Sequence, residues 1–233
     1  MLAVGSQDPR GRWTAAIWPA KELKLKNIVI AGAGGFGREI ASHLESIVSD
    51  KIRIAGFIDD TLAIAPALNQ SYPYPVLGKI SDYLPRIDDV FIVAIGDPKE
   101  KLRIAHELEL RGAEFFSFIH PTAVIARTAK LGRGIILCPF SMASADSSIS
   151  DFVTINFCSS IGHDVFVGEG STISSHVDIT GYVKIGAGVF IGSNASVLPK
   201  VEVGAFSKIG AGAIVVRRVK EGATVYSSPA KTL

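Results

Sequence analysis

Residues 155–173 read INFCSSIGHDVFVGEGSTI, with a branched aliphatic residue at every sixth position: Ile155, Ile161, Val167 and Ile173. The same step runs unbroken from Ile119 to Val215, and sixteen of its seventeen positions are Ile, Leu or Val, Ala143 being the exception. Four residues after each comes a small or branched side chain, as at Ala123, Ser141, Ser159, Val183 and Ala195. A helix spaces its apolar residues by three and four and an ordinary strand by two, so neither accounts for a period of six. A hexapeptide parallel β-helix does, with three hexads to each triangular coil. Residues eighteen apart then stack on successive rungs, about 4.8 Å apart.

The chain has 233 residues and the repeat takes roughly the second half, which leaves room for one modest domain before it. Its 24 Lys and Arg barely outnumber 22 Asp and Glu, and no dense basic cluster interrupts the repeat. A nucleic-acid surface is therefore not indicated; small molecules and further copies of the chain are the expected partners. No apolar run is long enough to span a bilayer. Cys138 and Cys158 fall at different places within their hexads and read as reduced thiols of a cytoplasmic protein. Residues 1–26 lack the charged-then-apolar order of a signal peptide and are expected to be a disordered or appended leader.

From Asn27 the pattern changes. Ile28-Val29-Ile30-Ala31 reads as a buried strand, Gly32-Ala33-Gly34-Gly35-Phe36-Gly37 as a turn, and the residues to about Val48 as a helix. This is the context in which a G-x-G-x-x-G motif has meaning: glycines admit a phosphate close to the backbone, and the helix N-terminus offers unpaired N–H groups. A second strand, Ile52 to Ile58, ends in Asp59-Asp60, where an acid can reach a ribose or base. A nucleotide ligand is predicted, a tight turn without a ligand being the plainer alternative. Pro66 to Pro75 reads as a loop, Ser81 to Leu84 as a short helix, Val90 to Ile95 as a buried strand and Pro98 to Arg111 as a helix stopped by Gly112. Glu114 to Phe118 reads as a strand running into the first hexad. Residues 27–118 are thus expected to form a truncated Rossmann-like α/β domain with parallel strands. A dehydrogenase would need a second domain to present substrate to a nicotinamide, a poor task for a β-helix, so the nucleotide is read as a handle on the substrate.

One corner of the repeat stands out. His163 is followed by Asp164, a carboxylate able to hold an imidazole tautomer and raise its basicity, and Asn156 lies seven residues earlier. Gly181, eighteen residues on, stands one rung away, where its N–H could meet an oxyanion at an attacked carbonyl. A solvated His–Asp pair is the plain alternative. His176 lacks the close companions a zinc site needs, so no metal is expected. His43, His106 and His120 read as structural or solvent-facing. Neither cysteine is placed as a nucleophile beside His163, which favours direct transfer over an acyl-enzyme.

Asn156, Ser159-Ser160-Ile161-Gly162-His163-Asp164 and Gly181-Tyr182-Val183-Lys184-Ile185-Gly186, together with the glycine-rich domain, resemble the bacterial nucleotide-linked amino-sugar N-acetyltransferases and their relatives, the sialic acid O-acetyltransferases. The resemblance spans Asn27 to Leu233. It implies a left-handed parallel β-helix over residues 119–219, a tail over 220–233, a homotrimer, and acetyl-CoA in the groove between neighbouring β-helices. It implies His163 as general base, with Asp164 raising its basicity, Asn156 in the same catalytic set and the Gly181 amide on the acetyl carbonyl. Sugar-nucleotide contacts fall by the same resemblance on Gly34, Gly35, Phe36, Asp59, Asp60 and Gly96, and acetyl-CoA contacts on Thr172, Ser193 and Ala211. The implied reaction moves an acetyl group from acetyl-CoA to an amine, at C4, of a UDP-linked deoxy-amino sugar. Sugar O-acetylation and a non-catalytic nucleotide-sugar-binding trimer are the alternatives. The sequence departs from the family at Phe36 and Thr172, each standing where His is usual, and at Ser227-Ser228-Pro229-Ala230-Lys231, which lacks the glycine of the closing segment.

Overall fold

The computed structural model describes residues 25–45, 47, 51–61 and 73–228. The leader before residue 25, the expected loop up to residue 72, the expected helix end at Val48 and the Pro229-Ala230-Lys231 segment lie outside the described residues.

The first domain is a five-stranded parallel sheet. Its strands are β1 (Lys26–Ala31), β2 (Ile52–Ile58), β3 (Val76–Gly78), β4 (Asp89–Val93) and β5 (Glu114–Phe115), in the order β3-β2-β1-β4-β5. Two helices, α1 (Gly35–Leu44) and α2 (Pro98–Leu110), complete it. Alternation along β1 divides the packing. Ile28 and Ile30 join Ile40, Ala41 and Leu44 of α1, whereas Val29 and Ala31 join Leu102, Ala105 and Leu108 of α2.

Two expectations change here. In place of the expected helix at Ser81 to Leu84 there is a single turn over Ile80–Asp82, closed by Tyr83 N–H donating to Lys79 O at 3.1 Å, because Pro85 disfavours the helical conformation at Leu84. The segment from Glu114 to Phe118 splits, Glu114–Phe115 pairing with β4 and Phe118–Ile119 opening the solenoid.

The second domain is a parallel β-solenoid of two-residue strands on three sheets of six, five and seven strands. Partners are eighteen residues apart, as in the series Met142, Ser160, Asp178, Ser196 and Ile214. The period-six residues fill the interior: Ile155, Ile161, Val167, Ile173, Ile179, Ile185 and Ile191 are fully buried. Each such burial contributes roughly 1.5–3 kcal/mol. The final coil is shorter, since Val219 bridges to Val203 and Thr224–Val225 pairs with Lys208–Ile209, sixteen residues away. The coil therefore continues past Val219, and residues 220–225, expected in the tail, belong to it.

The three outer faces differ. The docking face, from Phe118–Ile119 to Thr224–Val225, is covered in its first rungs by the N-terminal domain: Phe118 and Ile136 enter the core beside α1, and Thr154 and Thr172 are buried beneath α2. The next face exposes Val124, Met142 and Ile214 in its outer rungs, with Ser160, Asp178 and Ser196 between them, and the third exposes Lys130, Phe166, Lys184 and Glu202. We name these, by their outermost strands, the apolar and the charged face.

Docking is specific. Lys101 of α2, 1% exposed, donates to Thr154 Oγ1 at 3.1 Å, Ser171 O at 3.1 Å and Thr172 Oγ1 at 2.9 Å. Burial lowers its pKa to about 7. Leu102 lies over Gly170, where a Cβ would come within 2.4 Å of Leu102 Cγ and φ is +67°. Arg133 ties Glu109 of α2 to Asp151 of the solenoid and stacks near Phe115 and Phe152. Among the described residues no helix is long and apolar enough to cross a membrane.

Candidate active site

His163 stands at the corner between the apolar and charged faces, after Ser160–Ile161 and before Phe166–Val167. Asp164 adopts φ +57°, the left-handed conformation shared by the corner residues of many coils, such as Asp146, Tyr182 and Lys200. His163 Nδ1 and Asp164 Oδ2 are 2.8 Å apart. An ionised carboxylate only accepts, so Nδ1 carries a proton, and in the neutral imidazole this tautomer leaves the lone pair on Nε2. The ring meets Tyr182 edge-to-face with centroids 5.1 Å apart. Tyr182 was not singled out from sequence, although it is the rung mate of Asp164.

Gly181 sits under the imidazole. A Cβ there would lie 2.6 Å from His163 Nε2, so the absence of a side chain is what lets the ring pack on the backbone. Tyr182 N–H donates to His163 O and Gly181 O accepts from Lys200 N–H, both at 3.1 Å, whereas the Gly181 N–H has no partner among the described residues. A lone pair and a free donor thus share one corner.

The glycine motif builds a second site. Gly32, at φ +104°, and Gly37 are demanded by packing, because a Cβ would approach Ala94 O to 2.8 Å and Gly32 O to 1.9 Å respectively. Gly34, Gly35 and Gly96 are different: nothing lies within 4 Å of where a Cβ would be. All three line a cleft of about 350 Å³ with Phe36, Asp59 and Asp60. Gly34 caps α1 without a side-chain hydrogen bond, which leaves the helix N-terminus open towards an anion. The cleft therefore collects all six expected substrate residues, and adds Thr61, Glu100 and Ile104, which the sequence did not single out. The acids have structural duties there. Asp59 accepts from Ala33 N–H at 2.8 Å and Thr61 N–H at 2.7 Å, and Asp60 accepts from Ser81 N–H at 3.0 Å. Phe36 packs against the domain core where a histidine would offer a hydrogen bond.

Other expected residues lie elsewhere. Asn156 is at the corner between docking and apolar faces, where Cys138 Sγ donates to its Oδ1 at 3.5 Å. The seven residues separating it from His163 carry it across a whole face, so one chain does not bring the two together. Thr172, 2% exposed with its hydroxyl bonded to Lys101, belongs to the domain joint, and its side chain is closed to a ligand lying on the solenoid surface. Ser193 and Ala211 stack on Asn156's corner, Gly212 N–H donating to Ser193 O at 2.8 Å. His176 packs edge-to-face on Phe157. His43 and His120 meet edge-to-face at the domain junction, and His106 faces Glu169 at 3.4 Å.

An α/β domain with a glycine-lined cleft, docked on a hexapeptide solenoid with a His–Gly corner, defines a two-domain class, and comparison with known proteins agrees. Residues 27–108 match the PglD N-terminal domain and residues 182–217 the bacterial transferase hexapeptide repeats. It is 32% identical over 147 residues to GDP-perosamine N-acetyltransferase of Escherichia coli O157:H7, covering 60% of this chain and 63% of that protein. It is 27% identical over 115 residues to UDP-N-acetylbacillosamine N-acetyltransferase of Bacillus subtilis (strain 168), covering 48% and 51%. The matches thus span about half to two-thirds of these curated relatives. Among solved structures, PerB from Caulobacter crescentus, in complex with CoA and GDP-perosamine, superposes with TM-score 0.78 at 27% identity, over 90% of this chain and 98% of that one. The acetyltransferase domain of PglB from Neisseria gonorrhoeae FA1090 gives 0.77 at 25% identity, over 89% and 100%.

Proposed function

We propose that this chain transfers the acetyl group of acetyl-CoA to an amine, at C4, of a nucleotide-linked deoxy-amino sugar, with His163 as general base. The observation that carries the reading is the corner: an imidazole oriented through Nδ1, with Nε2 directly over a side-chain-free Gly181 whose N–H is unspent. The neutral amine attacks the thioester carbonyl, forming the C–N bond, and the carbonyl oxygen becomes an oxyanion that accepts from the Gly181 N–H. Nε2 takes the proton released by the nitrogen. Collapse breaks the C–S bond, and the thiolate leaves as the thiol with that proton. No acyl-enzyme is needed.

The assembly follows from the same geometry. His163 stands on the corner opposite the docking face, so a sugar held in one chain's cleft lies away from its own base. Three copies with apolar faces turned inward would set the His163 corner of one beside the Asn156, Ser193 and Ala211 corner of the next. We therefore read the site as shared between copies of a trimer, with donor and acceptor meeting in the groove. The relatives named for perosamine and bacillosamine support an amino-sugar acceptor; UDP carriers lead the panel and GDP carriers follow.

Free-thiol release from acetyl-CoA is the test, with UDP-, GDP- and CMP-linked sugars bearing either an amine or a hydroxyl at C4. Turnover with one amino sugar, reduced about 10²–10⁴-fold in His163→Ala, is expected. Equal rates in the two proteins would remove His163 from the mechanism, and turnover confined to hydroxyl acceptors would overturn N-acetylation.

A further inference from the structure

We infer that Lys101 is a positioning residue: with Thr154 and Thr172 it fixes which rung of the solenoid the N-terminal domain occupies. Coils of one period offer a docking helix nearly the same surface every eighteen residues, so a purely apolar seat would tolerate a slide of one rung, roughly 4.8 Å. The docking column shows where that equivalence is broken. From rung to rung it carries Phe118, Ile136, Thr154, Thr172, Phe190 and Lys208, and among the described residues Thr154 and Thr172 are its one consecutive pair of hydroxyls. Lys101 Nζ reaches both, at 3.1 and 2.9 Å, and its third partner is Ser171 O at 3.1 Å. A carbonyl recurs at that place on the neighbouring rungs, as Val153 O and Val189 O, which accept from Ile136 N–H and Thr172 N–H. The hydroxyls do not recur.

A domain shifted by one rung would set Nζ against one threonine and either Ile136 or Phe190. Lys101 is closed to water, so nothing would replace the lost partner, and an unmet buried donor is costly; a buried polar match of this kind selects register more than it adds stability. The remaining polar ties are weaker guides, because the His106–Glu169 pair and the bridges of Arg133 join partly exposed side chains. The consequence reaches the cleft. Gly96, just before α2, and Glu100 and Ile104 on it line the cleft on the same turns that carry Lys101. Seating Lys101 on the rungs of Thr154 and Thr172 therefore sets the height of the cleft along the solenoid, and with it the distance to the Asn156 and His163 corners. Resting on the proposed function, that height decides whether a sugar bound in the cleft meets the donor.

Crosslinking on the full chain reads the rung directly. In a Cys158→Ser background, His106→Cys is combined in turn with Glu169→Cys and with Asp151→Cys or Ala187→Cys, one rung to either side, and treated with a thiol crosslinker no longer than one rung. With Lys101 and both threonines in place, only the pair at 106 and 169 should link efficiently. Lys101→Met with Thr154→Val and Thr172→Val keeps the shape of the seat and removes its polar match. A neighbouring pair should then link as well, and acetyl transfer should fall about tenfold or more, as expected when reacting groups are misplaced, while calorimetry gives unchanged affinity for CoA and for UDP or GDP. Thr154→Ser with Thr172→Ser retains both hydroxyls and should keep the single rung. Links confined to position 169 in the triple variant, or in Lys101→Met alone should the triple variant not fold, would overturn the inference. A wild-type protein without acetyl transfer would remove the proposed function and leave the crosslinks to decide the rung.

Discussion

At Gly181 a single missing side chain serves two requirements. It lets the imidazole lie on the backbone, and it leaves an N–H where the attacked carbonyl would come. Gly181→Ala should fold, because the position is a corner rather than a core site, yet the methyl group would displace Nε2. A fall in kcat of about 10²-fold is expected in thiol-release assays, since small misplacements of reacting groups cost that much. Asp59 makes the complementary prediction for the cleft. Asp59→Ala leaves the Ala33 and Thr61 N–H groups unpaired and loosens the glycine turn, so KM for the nucleotide sugar should rise about tenfold with kcat nearly retained. Initial-rate kinetics with varied acceptor check it. Much of this scale was legible in the sequence. The eighteen-residue stacking rule placed Gly181 under His163 correctly, and the glycine motif found the cleft. Asp59's structural duty was not legible, because the partners of a carboxylate depend on how a loop folds back.

At the scale of elements, the join between α2 and the solenoid is the least visible feature in the sequence. Lys101 in a helix with several charges reads as a solvated residue, and nothing local announces that Thr154 and Thr172 wait for it across more than fifty positions. Thr172 was assigned to the donor through resemblance for the same reason. The buried ammonium has a pH consequence. Its pKa falls to about 7 in the folded chain against 10.5 unfolded, so between those values the unfolded chain holds the proton and the folded one does not. Stability should therefore rise as pH increases from about 7 towards 10, by up to roughly 1.4 kcal/mol per unit, and this gain is lost as pH falls back towards 7. Lys101→Met should flatten that slope. Thermal unfolding of the two proteins across the interval isolates the contribution, since other groups titrate in both. Of the expected elements, the turn at Ser81 to Leu84 failed through a neighbouring proline, and β3 was missed because three residues carry no period to detect.

For the whole molecule, the N-terminal domain docks on one face of the solenoid and His163 stands at the corner opposite that face, so the proposed sharing of the site between copies yields a test by mixing. His163→Ala lacks a base, and Gly35→Trp should fill the cleft. If each site draws on two copies, dissociating and reassembling the two inactive proteins together should restore a fraction of wild-type turnover; silence in the mixture would place cleft and base in the same chain. If the face carrying Val124, Met142 and Ile214 packs between the copies of the proposed trimer, Met142→Glu with Ile214→Glu should shift sedimentation towards monomer, with activity lost in parallel. The six-residue period made the solenoid legible but not the docking of the N-terminal domain on one of its faces, because a repeat specifies how coils stack and is silent on what covers their faces. It also concealed the final coil, where Val219 and Val225 come two residues early. A stack of identical coils would end in a row of unpaired N–H and C=O groups at the right spacing for another chain to continue, as in a growing fibril. Among the described residues, the last coil is two residues short at Val219 and Thr224–Val225, out of step with any further coil laid on it, and this shortening is expected to disfavour end-to-end polymerisation.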